Sequence, residues 1–216
     1  MQDWLITTEE KIVVAFDICS STTIIEDLSL TNNVARFLDL LDDVGQLLFE
    51  KKSDLKFEVY KFVGDGWILL FPSDTSGQQL IRFLHLLALT FENRFREHLG
   101  SILEVSPRIR GLTFGVDVGT IHRAPLFAKN EYIGRALVVA CRLQAAVKEH
   151  VEVPSNKVLV SRPFFQRYLA SVPDIQRHHP AETVRRLRNI RNGEDFHCVM
   201  LSLPGEDTLA PPAGNS

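Results

Sequence analysis

Apolar positions along the chain fall into short β-branched runs and longer stretches with helical spacing. Lys11 to Ile18 (KIVVAFDI) is a run of Val, Ala, Phe and Ile with one acid near its end, the pattern of a buried strand. A polar segment, CSSTT, follows. Then Val34, Phe37, Leu38, Leu41, Val44 and Leu48 recur every three or four residues, with Asp39, Asp42 and Asp43 on the other faces, which predicts an amphipathic helix. Two strands, Leu55 to Val63 and Trp67 to Phe71, are separated only by Gly64, Asp65 and Gly66, the signal of a β-hairpin. A loop from Pro72 to Gly77 leads into a second helix from Gln78 to His98. Ile109 to Val118 reads as a further strand closed by Gly119, and Gly134 to Glu149 as a third helix rich in Ala and Leu. Lys157 to Val160, a short helix near Pro163 to Leu169, and Phe196 to Leu201 complete the pattern. The order is β-α-β-β-α-β with additions, so an α+β fold with a ferredoxin-like core is expected.

Composition narrows the class. The 216 residues are 45% hydrophobic and 24% charged, enough to bury one core, and no internal repeat or second domain is visible. One domain over residues 1–203 is expected, with the segment from Pro204 (PGEDTLAPPAGNS) a disordered tail by composition. The net charge of −3 argues against nucleic acid as a partner, and no run approaches the ~18 apolar residues of a membrane span. Asp3, Glu9 and Glu10 near the start exclude the basic and apolar regions of a signal peptide. Three cysteines, Cys19, Cys141 and Cys198, lack CxxC spacing, so neither a disulfide framework nor a zinc cluster is indicated. A reducing cytoplasm is the expected location.

Two acids carry the candidate chemistry. Asp17 closes an otherwise apolar strand, where a carboxylate is costly to desolvate unless something compensates it. It is either a helix cap or a ligand. The residues after it, Ile18-Cys19-Ser20-Ser21-Thr22, offer consecutive amides and hydroxyls leading into a helix, a ready anion cradle. A carboxylate beside such a cradle makes sense if a divalent cation bridges them. Asp65 between two glycines is good turn chemistry by itself. If the strand of Asp17 lies beside that hairpin, both carboxylates meet at one end of the sheet, as a two-metal phosphoryl-transfer site requires.

At this point the residues resemble a family. Phe16-Asp17-Ile18-Cys19-Ser20-Ser21-Thr22 looks like the F-x-D-I-x-x-S-T motif of class III nucleotide cyclases, and Lys61 to Gly66 (KFVGDG) resembles their K-x-x-G-D-G hairpin. Gly115-Val116-Asp117-Val118-Gly119 is similar to their G-I-H-x-G strand end. Gly134 followed by Ala140-Cys141-Arg142-Leu143 is similar to their G-x-x-V-N-x-A-x-R-L helix. The four motifs occur in the family's order. The resemblance implies that Asp17, Asp65 and the Ile18 carbonyl hold two metal ions, Mn²⁺ or Mg²⁺. It further implies that Phe16 and the Ile18 to Thr22 segment (Cys19, Ser20, Ser21, Thr22) bind the triphosphate of a nucleoside triphosphate, and that Arg142 stabilises the α-phosphate. Lys61 and Glu131 would select the base, and Arg188 and Arg191 fall where the family has a phosphate-binding lysine; a solvated basic face is the alternative for those two arginines. A homodimer with shared active sites is implied as well.

The pattern also breaks. Val138 stands where the family has the asparagine that orients the ribose, on the same helix face as Arg142. Glu131 replaces an aspartate and is one methylene longer. Bare bacterial cyclases of the Pycsar antiphage systems, which make cyclic UMP or cyclic CMP, fit these departures. That resemblance favours UTP as substrate and implies a separate effector that senses the cyclic nucleotide. Tyr60 or Phe62 would supply bulk beside a smaller base. Two other readings stand beside it: an adenylyl cyclase, for which Lys61 speaks, and a degenerate cyclase domain serving as a nucleotide-binding or dimerisation module, for which Val138 speaks. Asp117 is read as a structural partner at a strand end.

Overall fold

The structure, a computed structural model, describes residues 6–104, 107, 109–126, 129–149 and 152–204. The expected tail from residue 205 onward lies outside them. Strand β1 (Thr7–Ile18) is followed by helices α1 (Ser21–Leu30) and α2 (Val34–Leu55), the hairpin β2 (Glu58–Phe62) and β3 (Gly66–Pro72), and helix α3 (Gly77–Leu99). Then come β4 (Leu112–Leu126), β5 (Lys129–Ile133), α4 (Arg135–Glu149), β6 (Lys157–Ser161), a short helix α5 (Arg162–Phe164) running into a π turn (Phe165–Leu169), β7 (Ala181–Arg185) and β8 (Phe196–Ser202). The strands form one sheet in the order β2-β3-β1-β4-β6-β8-β7, with β5 paired to β4. The first four strands, in the order β2-β3-β1-β4 and joined through α1–α2 and α3, are the expected ferredoxin-like core. β6 is added parallel to β4 by the α4 crossover, and β8 runs antiparallel to β6.

The two-residue period of β1 sorts its side chains between two cores. Ile12, Val14, Phe16 and Ile18 point to the face covered by α1, α2 and α3, where they join Leu40, Leu48, Leu84, Leu87 and Phe91. Val13 and Ala15 point to the opposite face and pack with Leu137 and Ala140 of α4. By the same alternation Asp17 belongs to the α4 face. Gly115 of β4 is what lets α4 lie so close: a Cβ there would run into the Ala140 carbonyl and the Gln144 backbone. On the other face Phe16 stacks on Trp67, with ring centroids 5.1 Å apart, and meets Phe114 at 5.8 Å. Such aromatic pairs contribute roughly 0.5–1.5 kcal/mol each beyond their burial.

Several boundaries differ from expectation. The chain is still helical at Leu55, so β2 begins at Glu58, because Leu55 continues the apolar stripe of α2. α1 starts inside the polar CSSTT segment and stops at Thr31, where α2 has not yet begun. β4 continues past Gly119 to Leu126 and turns back as β5, a hairpin whose polar, exposed residues carry little apolar periodicity. β7, with mostly exposed residues (AETVR), is invisible for the same reason. It is an edge strand, where one face and one flank need no apolar side chains.

Candidate active site

Asp17 is the last polar position on the α4 face of β1, opposite Gly66 on β3 and Thr113 on β4. Gly66 matters locally: a Cβ there would collide with the Phe16 carbonyl and sit 3.1 Å from Asp17 Oδ1, so only glycine lets the hairpin end approach the acid. The turn is closed by the Asp65 amide donating to the Val63 carbonyl at 3.0 Å and the Val63 amide to the Gly66 carbonyl at 2.8 Å, with Gly64 at φ +77. The backbone around Asp65 thus does the turn work expected of Gly-Asp-Gly, and its half-buried carboxyl is left for the neighbouring acid. The two carboxyls are close enough to interact. Burial raises the Asp17 pKa above the ordinary aspartate value, Lys148 opposes that shift, and Asp65 adds to it.

Asp17 Oδ2 accepts from Lys148 Nζ at 2.5 Å and from Gln144 Nε2 at 3.4 Å; both donors lie on α4, one turn apart. Gln144 also donates to Thr113 Oγ1 at 2.8 Å, and Lys148 Nζ reaches the Ile18 carbonyl at 3.5 Å. These partners were not foreseen. The only trace of them in the sequence is that Gln144 and Lys148 continue the i, i+4 line from the buried Ala140 toward the exposed end of α4.

The cradle is smaller than its sequence suggests. The Cys19 amide donates to the Gly111 carbonyl at 2.9 Å and its buried thiol is pushed up to about 11, mainly by burial, so Cys19 offers neither amide nor thiolate. Ser20, in left-handed backbone at φ 57, is the N-cap of α1 without a side-chain cap bond. Ser20, Ser21 and Thr22 therefore remain as candidates for an anion cradle at a helix N-terminus. The Phe16 ring belongs to the core, though the residue borders a cleft of about 230 Å³ with Asp17, Gly66, Trp67, Ile68, Cys141 and Gln144.

A second cleft, of about 350 Å³, is lined by Tyr60, Lys61, Ile68, Leu137, Val138 and Arg142. It shares the walls Ile68 and Cys141 with the first, so both open along one groove between α4 and the β2–β3 hairpin. Lys61 Nζ and Glu131 Oε2 form an ion pair at 2.8 Å, and the Tyr60 hydroxyl donates to the same oxygen at 2.5 Å. Hydrogen bonds from Lys61 and then Tyr60 hold the Glu131 carboxyl below the usual glutamate range. Tyr60 also accepts from the Tyr132 amide at 3.2 Å, which fixes its ring beside the pair. Val138 is 46% exposed on the groove, an apolar side chain that offers no hydrogen bond there.

Arg188 and Arg191 are exposed in the connection between β7 and β8, with β4, β6 and β8 separating that edge from β1. The fold does not bring them to Asp17 within one chain. Asp117 is buried, accepts from Ser161 Oγ at 2.5 Å and has its pKa raised by burial, in keeping with a structural partner. Among the described residues no three His, Cys, Asp or Glu side chains cluster as a metal centre. The oxygens at hand are the two carboxylates and the Ile18 carbonyl. They are hard donors that suit Mg²⁺ or Mn²⁺, and a substrate phosphate would complete the shell. The ammonium of Lys148 already lies against two of them as a stand-in cation.

No family model matches the sequence, and no curated protein matches it. Solved structures do. A bacterial light-regulated adenylyl cyclase superposes with a TM-score of 0.67 at 17% identity, over 91% of this chain and 53% of its own. The guanylyl cyclase Cya2 gives 0.66 at 14% identity, over 97% and 98% of the two chains. A class III adenylyl cyclase-like ATP-binding protein from Pseudomonas aeruginosa gives 0.63 at 18%, over 80% of this chain and 37% of its own. The chain spans about half the length of the light-regulated enzyme. The fold is that of class III cyclase catalytic domains. The three proteins named differ in nucleotide and in activity, so the fold leaves substrate and turnover to the site residues. Among the described residues no helix is long and apolar enough to cross a membrane.

Proposed function

We propose that this protein is a metal-dependent nucleotide cyclase. The observation that carries the reading is the convergence of Asp17 and Asp65 beside the uncapped N-terminus of α1, within a cyclase fold. Asp17, Asp65 and the Ile18 carbonyl would hold two divalent cations, which when bound would lower the pKa of the ribose 3′-hydroxyl and neutralise the α-phosphate. Ser20, Ser21 and Thr22 bind the triphosphate through amides and hydroxyls. The 3′-hydroxyl releases its proton to water as its oxygen attacks the α-phosphorus in line, the bond from the α-phosphorus to the bridging oxygen breaks, and pyrophosphate departs, giving a 3′,5′-cyclic nucleotide. Arg142, which has no ion-pair partner among the described residues, supplies a planar guanidinium to the α-phosphate charge. The active form is a homodimer, with the acids of one subunit facing Arg142 of the other. Phe62, Val63, Ile133 and Val138 are each about half exposed and supply apolar area for such contact.

The favoured substrate is UTP, and the product is cyclic UMP, a cytoplasmic second messenger for antiphage defence sensed by a separate effector. Support comes from Val138 in the place of a ribose-orienting asparagine and from Tyr60, whose ring lines the cleft and whose hydroxyl donates to Glu131. ATP is the second reading, supported by the Lys61–Glu131 ion pair, whose donor and acceptor suit a purine edge. The test is to incubate the purified protein with Mn²⁺ and ATP, GTP, CTP or UTP separately and identify products by mass. Cyclic UMP with pyrophosphate is expected, and Asp65→Ala should abolish it while leaving the dimer folded. Cyclic AMP would select the second reading. No cyclic product from a folded dimer would leave a nucleotide-binding module.

A further inference from the structure

Lys148 occupies a place that the proposed chemistry reserves for a cation. Its Nζ donates to Asp17 Oδ2 at 2.5 Å and to the Ile18 carbonyl at 3.5 Å, the two oxygens of one strand end assigned above to metal. No other side chain among the described residues brings a positive charge to Asp17. Gln144, the second donor to Oδ2, is neutral and anchored on Thr113, so it holds the carboxylate in place without competing for charge.

We propose that Lys148 is a tethered counter-ion of the metal site, which a divalent cation must displace in order to bind. The inference rests on the metal assignment of the preceding section. In the free protein the half-buried Asp17 carboxylate is compensated by Lys148, which offsets its desolvation. A metal ion and the ammonium do not share Oδ2 and the Ile18 carbonyl at once, since both are cations seeking the same lone pairs. The lysine has room to leave: its side chain is 38% exposed at the end of α4. It lies beside the segment that opens the triphosphate cradle, so a displaced ammonium stays close to the anionic substrate that accompanies the metal. Metal affinity is thereby kept low until substrate supplies a new partner for the lysine.

The experiment is Mn²⁺ binding without nucleotide, followed by electron paramagnetic resonance of the free ion, on wild type, Lys148→Met and Asp17→Asn. Lys148→Met should bind Mn²⁺ about tenfold more tightly, the ratio set by removing one charge-assisted contact that binding otherwise breaks. It should also show a larger Mn²⁺-induced rise in Tm than wild type, because its metal-free form carries an uncompensated carboxylate. Asp17→Asn should lose binding. Lys148→Gln repeats the test should the methionine variant not fold. Wild-type affinity, or weaker binding, in Lys148→Met together with loss in Asp17→Asn overturns the counter-ion role alone. Undiminished binding in Asp17→Asn overturns the metal assignment and the inference with it.

Discussion

Replacing Gly115 with alanine isolates how far the site depends on the seating of α4. An alanine Cβ at 115 would stand 2.9 Å from the Gln144 Cα and closer still to the Gln144 amide and the Ala140 carbonyl, all backbone of one helix. Backbone cannot swing aside as a side-chain tip does, so α4 must withdraw from β4 by on the order of 1 Å. Overpacking of this kind costs about 1–3 kcal/mol, and with helix backbone as the obstacle the upper end, about 3 kcal/mol, is expected. For a chain of this size each kcal/mol shifts Tm by roughly 2–4 °C, so the melt should fall by about 6–12 °C. The same shift moves Val138, Arg142, Gln144 and Lys148, and a misplacement of about 1 Å can lower a rate on the order of 100-fold. Gly119→Ala is the matched control: it lies on the same strand, and its Cβ meets only the Ala136 Cβ at an ordinary 3.5 Å. The assays are thermal unfolding by circular dichroism and cyclic-nucleotide yield under saturating Mn²⁺. A Gly115→Ala protein that melts and turns over like the Gly119→Ala control would refute the close seating of α4 and the dependence of the site on it.

Two further outcomes are expected. Mixing Asp17→Ala with Arg142→Ala chains should restore part of the activity that each lacks alone, because a heterodimer holds one intact site; no rescue, with heterodimers shown by native mass spectrometry, would remove the shared-site arrangement. Asp117→Asn tests the buried acid beside Ser161. Burial raises its pKa, so the fold favours the protonated form. That contribution is complete below the ordinary value of 3.8 and is lost as pH rises through the raised one. The asparagine variant should therefore gain Tm over wild type as pH rises from 3.8 through the raised pKa and hold that gain above it, and a gap that stays constant with pH would count against the assigned direction.

The sequence by itself determined the core of this protein. Continuous apolar runs in β1 and β3 and the apolar spacing of α2 locate the core, although Leu38 of the expected α2 face is exposed and Leu40 takes a buried place instead. It also marked Asp17 and Asp65, since an acid closing an apolar strand and a glycine-flanked acid in a hairpin stand out against their neighbours. The exposed hairpin β4–β5 and the edge strand β7 left no such mark, as strands that bury little need no apolar alternation. Only the tertiary structure decided what surrounds the acids. The pairing of β1 with β3 brings Asp65 to Asp17, the close approach over Gly115 brings Gln144 and Lys148 to the same carboxylate, and the Gly111 carbonyl takes the Cys19 amide out of the cradle. The return of β5 along β4 likewise brings Glu131 into contact with Tyr60 and Lys61 of β2. These contacts join residues far apart in the chain, and local spacing carries no information about which polar groups a folded sheet will set face to face.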